Sequence, residues 1–272
     1  MAFIHSSGAV TFDGDRILLA AKGLVRSDDA GRTWTALPAP GSIVALAGHS
    51  GRILAGLHHG VALSNDSGQS WQVHNNGLPE ARVLAVTVAA RAPDTFHAAL
   101  EGDGVWMSED AGLSWSLVMD RPWLDEAERD LLALTSVDLE SGMGGIWIYA
   151  GTETGLTRVP DCFCRWQDVQ PGNAMDALVS DDAPPLEAPL PEGEAVLALV
   201  SAPSSPAFLY AALPSGVWSS KDSGVVWAQV TSRPATTLAV HPQDDTYLAA
   251  IMGGRLHLSR DGGINWTAVA VA

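Results

Sequence analysis

Short apolar runs of four to six residues, smooth or alternating and rich in Val, Leu, Ile and Ala, recur along the whole chain between clusters of Gly, Pro, Asn and Asp. That pattern predicts β-strands separated by tight turns. The first unit reads Ala9-Val10-Thr11-Phe12, Ile17-Leu18-Leu19-Ala20, Leu24-Val25-Arg26-Ser27 and Trp34-Thr35-Ala36-Leu37. The same scheme restarts at Ile43, Val83, Leu131, Ala195 and Thr237, so six four-stranded units are expected. The first strand of each unit is built from small smooth residues, which suits a crowded inner position. The bulk of Trp106, Trp147 and Trp218 falls in second or third strands.

Between the third and fourth strands of these units stands a repeated phrase. It is Ser27-x-Asp29-x-Gly31-x-Thr33-Trp34 in the first unit. It returns with Ser64, Asp66, Gly68 and Trp71, and again with Ser108, Asp110, Gly112 and Trp115. Ser220, Asp222, Gly224 and Trp227 give a fourth intact copy, and Ser259, Asp261, Gly263 and Trp266 a fifth. A degenerate copy keeps Asp161 and Trp166 at the usual spacing, but has Val159 in place of the serine and Phe163 in place of the glycine. Trp-to-Trp intervals of 37 (34 to 71), 44 (71 to 115), 51 (115 to 166), 61 (166 to 227) and 39 (227 to 266) describe a period near 40 with variable insertions, the mark of stacked supersecondary units.

Ser and Asp oxygens accept from nearby backbone N–H groups, and Gly takes φ > 0, so each copy predicts a compact hairpin. The Trp then opens the next strand and covers the turn. The phrase resembles the Asp-box, or bacterial neuraminidase repeat, of the β-propellers of sialidases, sortilin-type receptors and photosystem II assembly factors. The resemblance covers Ser27 to Trp266. It implies an all-β, six-bladed β-propeller with four-stranded antiparallel blades, read as one domain over residues 1–272. It also implies that the boxes are structural fasteners lying away from the ligand-binding face. Every blade is contiguous in sequence, so no strand need be borrowed from the other terminus, although Phe3 and Ile4 are available as a latch.

Charge and composition narrow the function. With 31 acidic and 15 basic residues the net charge is −16, which repels phosphate backbones and anionic lipid, so neither nucleic-acid binding nor membrane insertion is expected. Residues 1–8 show neither a basic nor an apolar leader segment, and the expected compartment is the cytoplasm. Cys162 and Cys164, one residue apart, read as free thiols.

Two insertions interrupt the spacing. Residues 119–130 suggest a short helix from Asp125, and residues 168–194, with seven acids, no Lys or Arg and several prolines, suggest an extended loop. Both fall between the last strand of one unit and the first of the next. That places them on the same face as the loops between second and third strands, opposite the boxes.

Candidate binding residues on that face are Arg82, Arg121, Trp123, Arg233, His58, His59, Glu101, Asp103, Glu153 and Arg255. Arg82, Arg121 and Arg233 follow the Trp of their units at comparable spacing, and three guanidinium forks converging from three blades would clamp a carboxylate. Sialidases of the resembled family use an arginine triad, but their early Arg-Ile-Pro motif is here Arg16-Ile17-Leu18. They also need a tyrosine nucleophile, while Tyr149, Tyr210 and Tyr247 lie within or at the start of apolar strands. Glu101, Asp103 and Glu153 are the acids another glycoside hydrolase would use. Adjacent His58 and His59 point to opposite sides of a strand end, so at most one joins a metal cluster.

No catalytic residue, metal or cofactor is therefore assigned. The sequence points to a non-catalytic protein-binding propeller, a scaffold or assembly factor whose partner is another protein or complex. The alternative is a carbohydrate-active propeller of the glycoside hydrolase or sialidase kind.

Overall fold

A computed structural model describes residues 8–179 and 188–271. The chain forms six antiparallel sheets in sequence order. The first holds β1 (Ala9–Asp13), β2 (Arg16–Ala20), β3 (Leu24–Ser27) and β4 (Thr35–Leu37). The second holds β5 (Ile43–His49), β6 (Arg52–Leu57), β7 (Val61–Ser64) and β8 (Gln72–Val73). The third holds β9 (Val83–Val88), β10 (Phe96–Leu100), β11 (Gly104–Ser108) and β12 (Ser116–Asp120). A separate two-stranded hairpin, β13 (Trp123–Leu124) with β14 (Ala127–Glu128), precedes the fourth sheet of β15 (Leu131–Glu140), β16 (Ile146–Thr152) and β17 (Leu156–Pro160). After the short helix α1 (Ala174–Val179), the fifth sheet holds β18 (Ala198–Ala202), β19 (Ser205–Leu213), β20 (Gly216–Ser220) and β21 (Ala228–Thr231). The sixth holds β22 (Thr237–His241), β23 (Asp244–Met252), β24 (Arg255–Ser259) and β25 (Thr267–Ala268).

Each sheet pairs strictly neighbouring strands, so each is one blade. Every adjacent pair of blades has its own cluster of buried side chains. The sixth and first share Val10, Phe12, Leu19, Tyr247, Ala249 and Leu256, for example, and the second and third share Leu54, Val61, Val86 and Phe96. Burying such aliphatic and aromatic side chains contributes about 1.5–3 kcal/mol each. The sheets close into a ring, a six-bladed β-propeller. Closure rests on side chains among the described residues, and Phe3 and Ile4 lie outside these.

The repeated phrase makes a near-identical hairpin in all five intact copies. In the second blade Ser64 Oγ accepts from Gly68 N at 2.8 Å and donates to Asp66 Oδ1 at 2.8 Å, while Asp66 accepts from Ser70 N and Ser70 Oγ at 2.8 and 2.6 Å. Gly68 sits at φ +87°, and a Cβ there would stand 3.0 Å from Leu18 and Leu37 of the preceding blade. Glycine thus meets two demands at once, a left-handed backbone and close approach of blades. The Trp does not begin the fourth strand, which starts one residue later in each of these blades. Its ring folds back over the turn instead, with Nε1 donating to the glycine carbonyl in Trp71, Trp227 and Trp266 at 3.2, 2.8 and 2.7 Å.

Three further sequence expectations need correction. Among the described residues the fourth blade has three strands, because the degenerate copy lacks the serine and glycine that set up the hairpin, and an isolated bridge between Arg158 and Gln167 stands in for the outer strand. Residues 123–128 form a hairpin rather than a helix, with Asp125 and Glu126 at φ +49° and +63°, both positive as the tightest hairpin turns require. The acidic insertion opens with α1, capped by Asn173, whose Oδ1 accepts from Met175 N and Asp176 N at 2.8 and 3.2 Å, while Asp176 accepts from Asn173 N at 2.9 Å. The part of that insertion from 180 to 187 lies outside the described residues.

Candidate functional site

Antiparallel order puts alternate connections on opposite faces, and hydrogen bonds fix which belong together. On one face the repeated hairpins bond the turns between first and second strands of their own blades, as in Ser67 N to Gly51 O at 3.1 Å and Ala111 N to Asp94 O at 2.9 Å. On the other, turns between second and third strands bond the inter-blade loops, as in Glu101 N to Arg82 O and Val196 N to Thr152 O, both 2.9 Å.

The ten candidate residues all lie on this second face, but not in one pocket. Arg121 is bound by two carboxylates, Glu128 and Asp130, the latter at 3.2 Å. Arg233 meets His257 Nε2 at 2.9 Å, and His257 Nδ1 lies 3.0 Å from Arg255 O. Arg82 is half-buried, with a buried Nε that has no hydrogen-bond partner among the described residues, and Arg255 is exposed. Arg121 and Arg233 thus engage different neighbours, two carboxylates in one case and a histidine in the other. His58 and His59 are exposed, with His59 Nδ1 at 4.0 Å from Glu80. Asp103 accepts from Trp106 Nε1 at 3.0 Å, and Glu101 and Glu153 stand on separate blades.

Trp123 is the most exposed large hydrophobic side chain among the described residues, 69% exposed on the β13–β14 hairpin. The hairpin is braced: Arg121 ties β14 to the loop behind it, Arg129 N donates to Pro122 O at 3.0 Å, and Gly102 N donates to Asp130 at 2.9 Å. An aromatic surface held in one conformation loses little entropy on binding.

Both faces carry paired and unpaired cations. Arg16, Arg26, Arg52 and Arg91, on the hairpin face, are all in ion pairs with Asp or Glu. Arg82, Arg233 and Arg255, on the opposite face, have no carboxylate within 4.0 Å among the described residues. Arg32, Arg165, Lys221 and Arg260, exposed in the repeated hairpins, likewise have no carboxylate within 4.0 Å among the described residues, so free cations do not set the two faces apart.

The inner position expected of the first strands is where the cavity lies. The first strands of all six blades enclose about 320 Å3 along the axis. At the loop-bearing end it is lined by Ala9, Val44, Leu84, Leu132 and Leu197, and nearer the hairpin end by His49, Ser136 and Asp138. Its hydroxyls join blades: Thr11 Oγ1 accepts from Gly48 N at 3.0 Å, Thr87 Oγ1 from Ser136 N at 3.2 Å, and Ser136 Oγ from Ala90 N at 2.9 Å. Asp138 is held by Arg91. The Ala- and Leu-rich first strands were the available signal. None of the ten candidate residues lines this cavity.

No protein-family model matches the chain, and no curated protein matches it. Among solved structures, YCF48 from Cyanidioschyzon merolae is similar at 16% identity and TM-score 0.54, over 97% of this chain and 86% of that one. A structure of YCF48 bound to D1 peptide is similar at 15% and 0.55, over 100% and 80%. The GH74 xyloglucanase from Xanthomonas campestris is similar at 18% and 0.57, over 94% of this chain but only 45% of its own length. Similarity at these identities shows the propeller fold alone.

Proposed function

We propose that the chain is a non-catalytic Asp-box propeller, a single rigid domain that binds another polypeptide through its loop-bearing face. The observation that carries this reading is Trp123, a braced aromatic exposed beside the mouth-side loops; buried aromatics and arginines dominate the energetics of protein interfaces. The likeness to a propeller solved with a peptide supports it. The acidic insertion, expected on this face, does not join it at its described ends: Ala174 N donates to Ser141 O at 2.7 Å and Trp227 N to Ala188 O at 2.8 Å, both on the hairpin face.

The carbohydrate-active reading draws on the GH74 likeness, but it needs two carboxyl groups facing one another across a cleft. The axial cavity offers one, Asp138, and Arg91 holds it. Affinity capture from the native host with the wild-type chain and a Trp123→Ala variant, beside an assay on aryl glycosides, separates the two. A polypeptide retained by the wild type and lost by the variant supports binding, whereas glycoside turnover without such a partner overturns it.

A further inference from the structure

The fourth blade departs from the way four of the other blades fasten their hairpins. In those four the amide at the fourth position of the repeated phrase donates to the connection between the first two strands. Ser67 bonds Gly51, Ala111 bonds Asp94, Ser223 bonds Ala207 and Gly262 bonds Thr246 in this way. In the fourth blade the corresponding loops are Asp161–Trp166 and Ser141–Gly145, and where they meet there is sulfur. Cys164 Sγ stands 2.8 Å from Cys162 Sγ and 3.9 Å from Met143 Sδ. Phe163, in the place of the usual glycine, keeps a positive φ of +51° between the two cysteines. Both cysteines are exposed, and Met143 is 41% exposed.

The geometry points to a binding site for a soft monovalent cation, Cu(I), formed by Cys162, Cys164 and Met143. Two thiolates and a thioether are the soft donors that select Cu(I) among biological metals. A structural zinc ion needs four Cys, His or carboxylate donors, and no three such side chains converge among the described residues. Three sulfurs each at about the 2.3 Å of a metal–thiolate bond lie about 4 Å apart around one ion. Cys164 and Met143 already have that spacing, and the exposed Cys162 side chain reaches it by rotating outward. The ion replaces the two thiol protons, which pass to solvent, and no electron is transferred. The site lies on the hairpin face, independent of the protein-binding reading of the opposite face.

The test is anaerobic titration of the fully reduced chain with Cu(I) in competition with bicinchoninate, followed by X-ray absorption. The wild type should hold a single Cu(I) with three sulfur neighbours. The Cys162→Ser, Cys164→Ser double variant should surrender it to the chelator. Since removing a group that merely supports a metal ligand weakens affinity about 10- to 100-fold, Met143→Leu should weaken binding at least about tenfold and leave two sulfurs. Thermal melting of each apo variant, expected to match wild type, shows that the blade is intact. A wild-type chain that releases copper as readily as the double variant overturns the proposal, as does a Met143→Leu chain with unchanged affinity and three sulfur neighbours.

Discussion

Asp15 in the first blade and His241 in the sixth meet at 2.9 Å, residues at opposite ends of the sequence brought together where the ring closes. Behind them Phe12 packs edge-on against both His241 and Tyr247, with ring centroids 5.4 and 4.9 Å apart. Among the described residues, aromatic packing joins the two blades across the seam. Phe12→Ala should therefore destabilise by about 3–5 kcal/mol, the usual cost of emptying a buried aromatic site. Urea unfolding would show a lower midpoint, and a loss below about 1 kcal/mol would mean that the seam contributes little.

The repeated hairpins should weaken in acid. In Asp66 the Ser70 hydroxyl foremost, then the Ser70 amide and Ser64, hold the carboxyl at about 2, and Asp29 and Asp110 are held alike by Thr33 and Ser114. A carboxyl depressed on folding stabilises fully above its ordinary value near 3.8 and loses that contribution as pH falls towards 2. Ser70→Ala should shrink the stability difference between pH 5 and pH 2.5 measured by denaturant unfolding. An unchanged difference would contradict this account of the hairpin.

His97 carries the opposite kind of group into the same acid range. Burial alone pushes it down to about 4, so the native ring stays neutral while the unfolded chain takes up a proton below about 6.5. Stability is complete above pH 6.5 and declines as pH falls towards 4, by roughly 3 kcal/mol at the lower end for a shift of this size. His97→Phe should flatten the stability profile between those pH values. An equal slope in the variant would show that other groups produce it.

Trp123→Ala should leave the melting temperature within about a degree of wild type, since the ring is exposed and changes of this kind stay within about 0.5 kcal/mol. Partner affinity should fall about 30-fold or more, the mark of an anchoring aromatic. Calorimetry of folding and of binding on the same two proteins reads both effects, and an unaltered affinity would remove Trp123 from the interface.

The ring was legible because each blade repeats its own instructions: Ser64, Asp66 and Gly68 specify a turn through contacts spanning a few residues, and the first strands announce their inner position by their smoothness. Misreadings arose where distant partners overrode local preference. Residues 123–128 contain helix-forming Glu and Ala, but the pairing of Arg121 with Glu128 and Asp130 favours two strands and a tight turn. Asn173 and Asp176 form a helix start that the prolines and acids around them obscured. For the candidate site the face was legible and the convergence was not. Sequence spacing placed Arg82, Arg121 and Arg233 alike along the chain, yet it carries no information about Asp130 or His257, which decide what each guanidinium meets.

Photo-crosslinking in the native host tests the division of labour between the two faces most directly, with a photoreactive residue replacing Trp123 in one protein and the equally exposed Ile264 of a repeated hairpin in another. The first should capture a distinct polypeptide and the second should not. Capture from position 264 with none from 123 would contradict it.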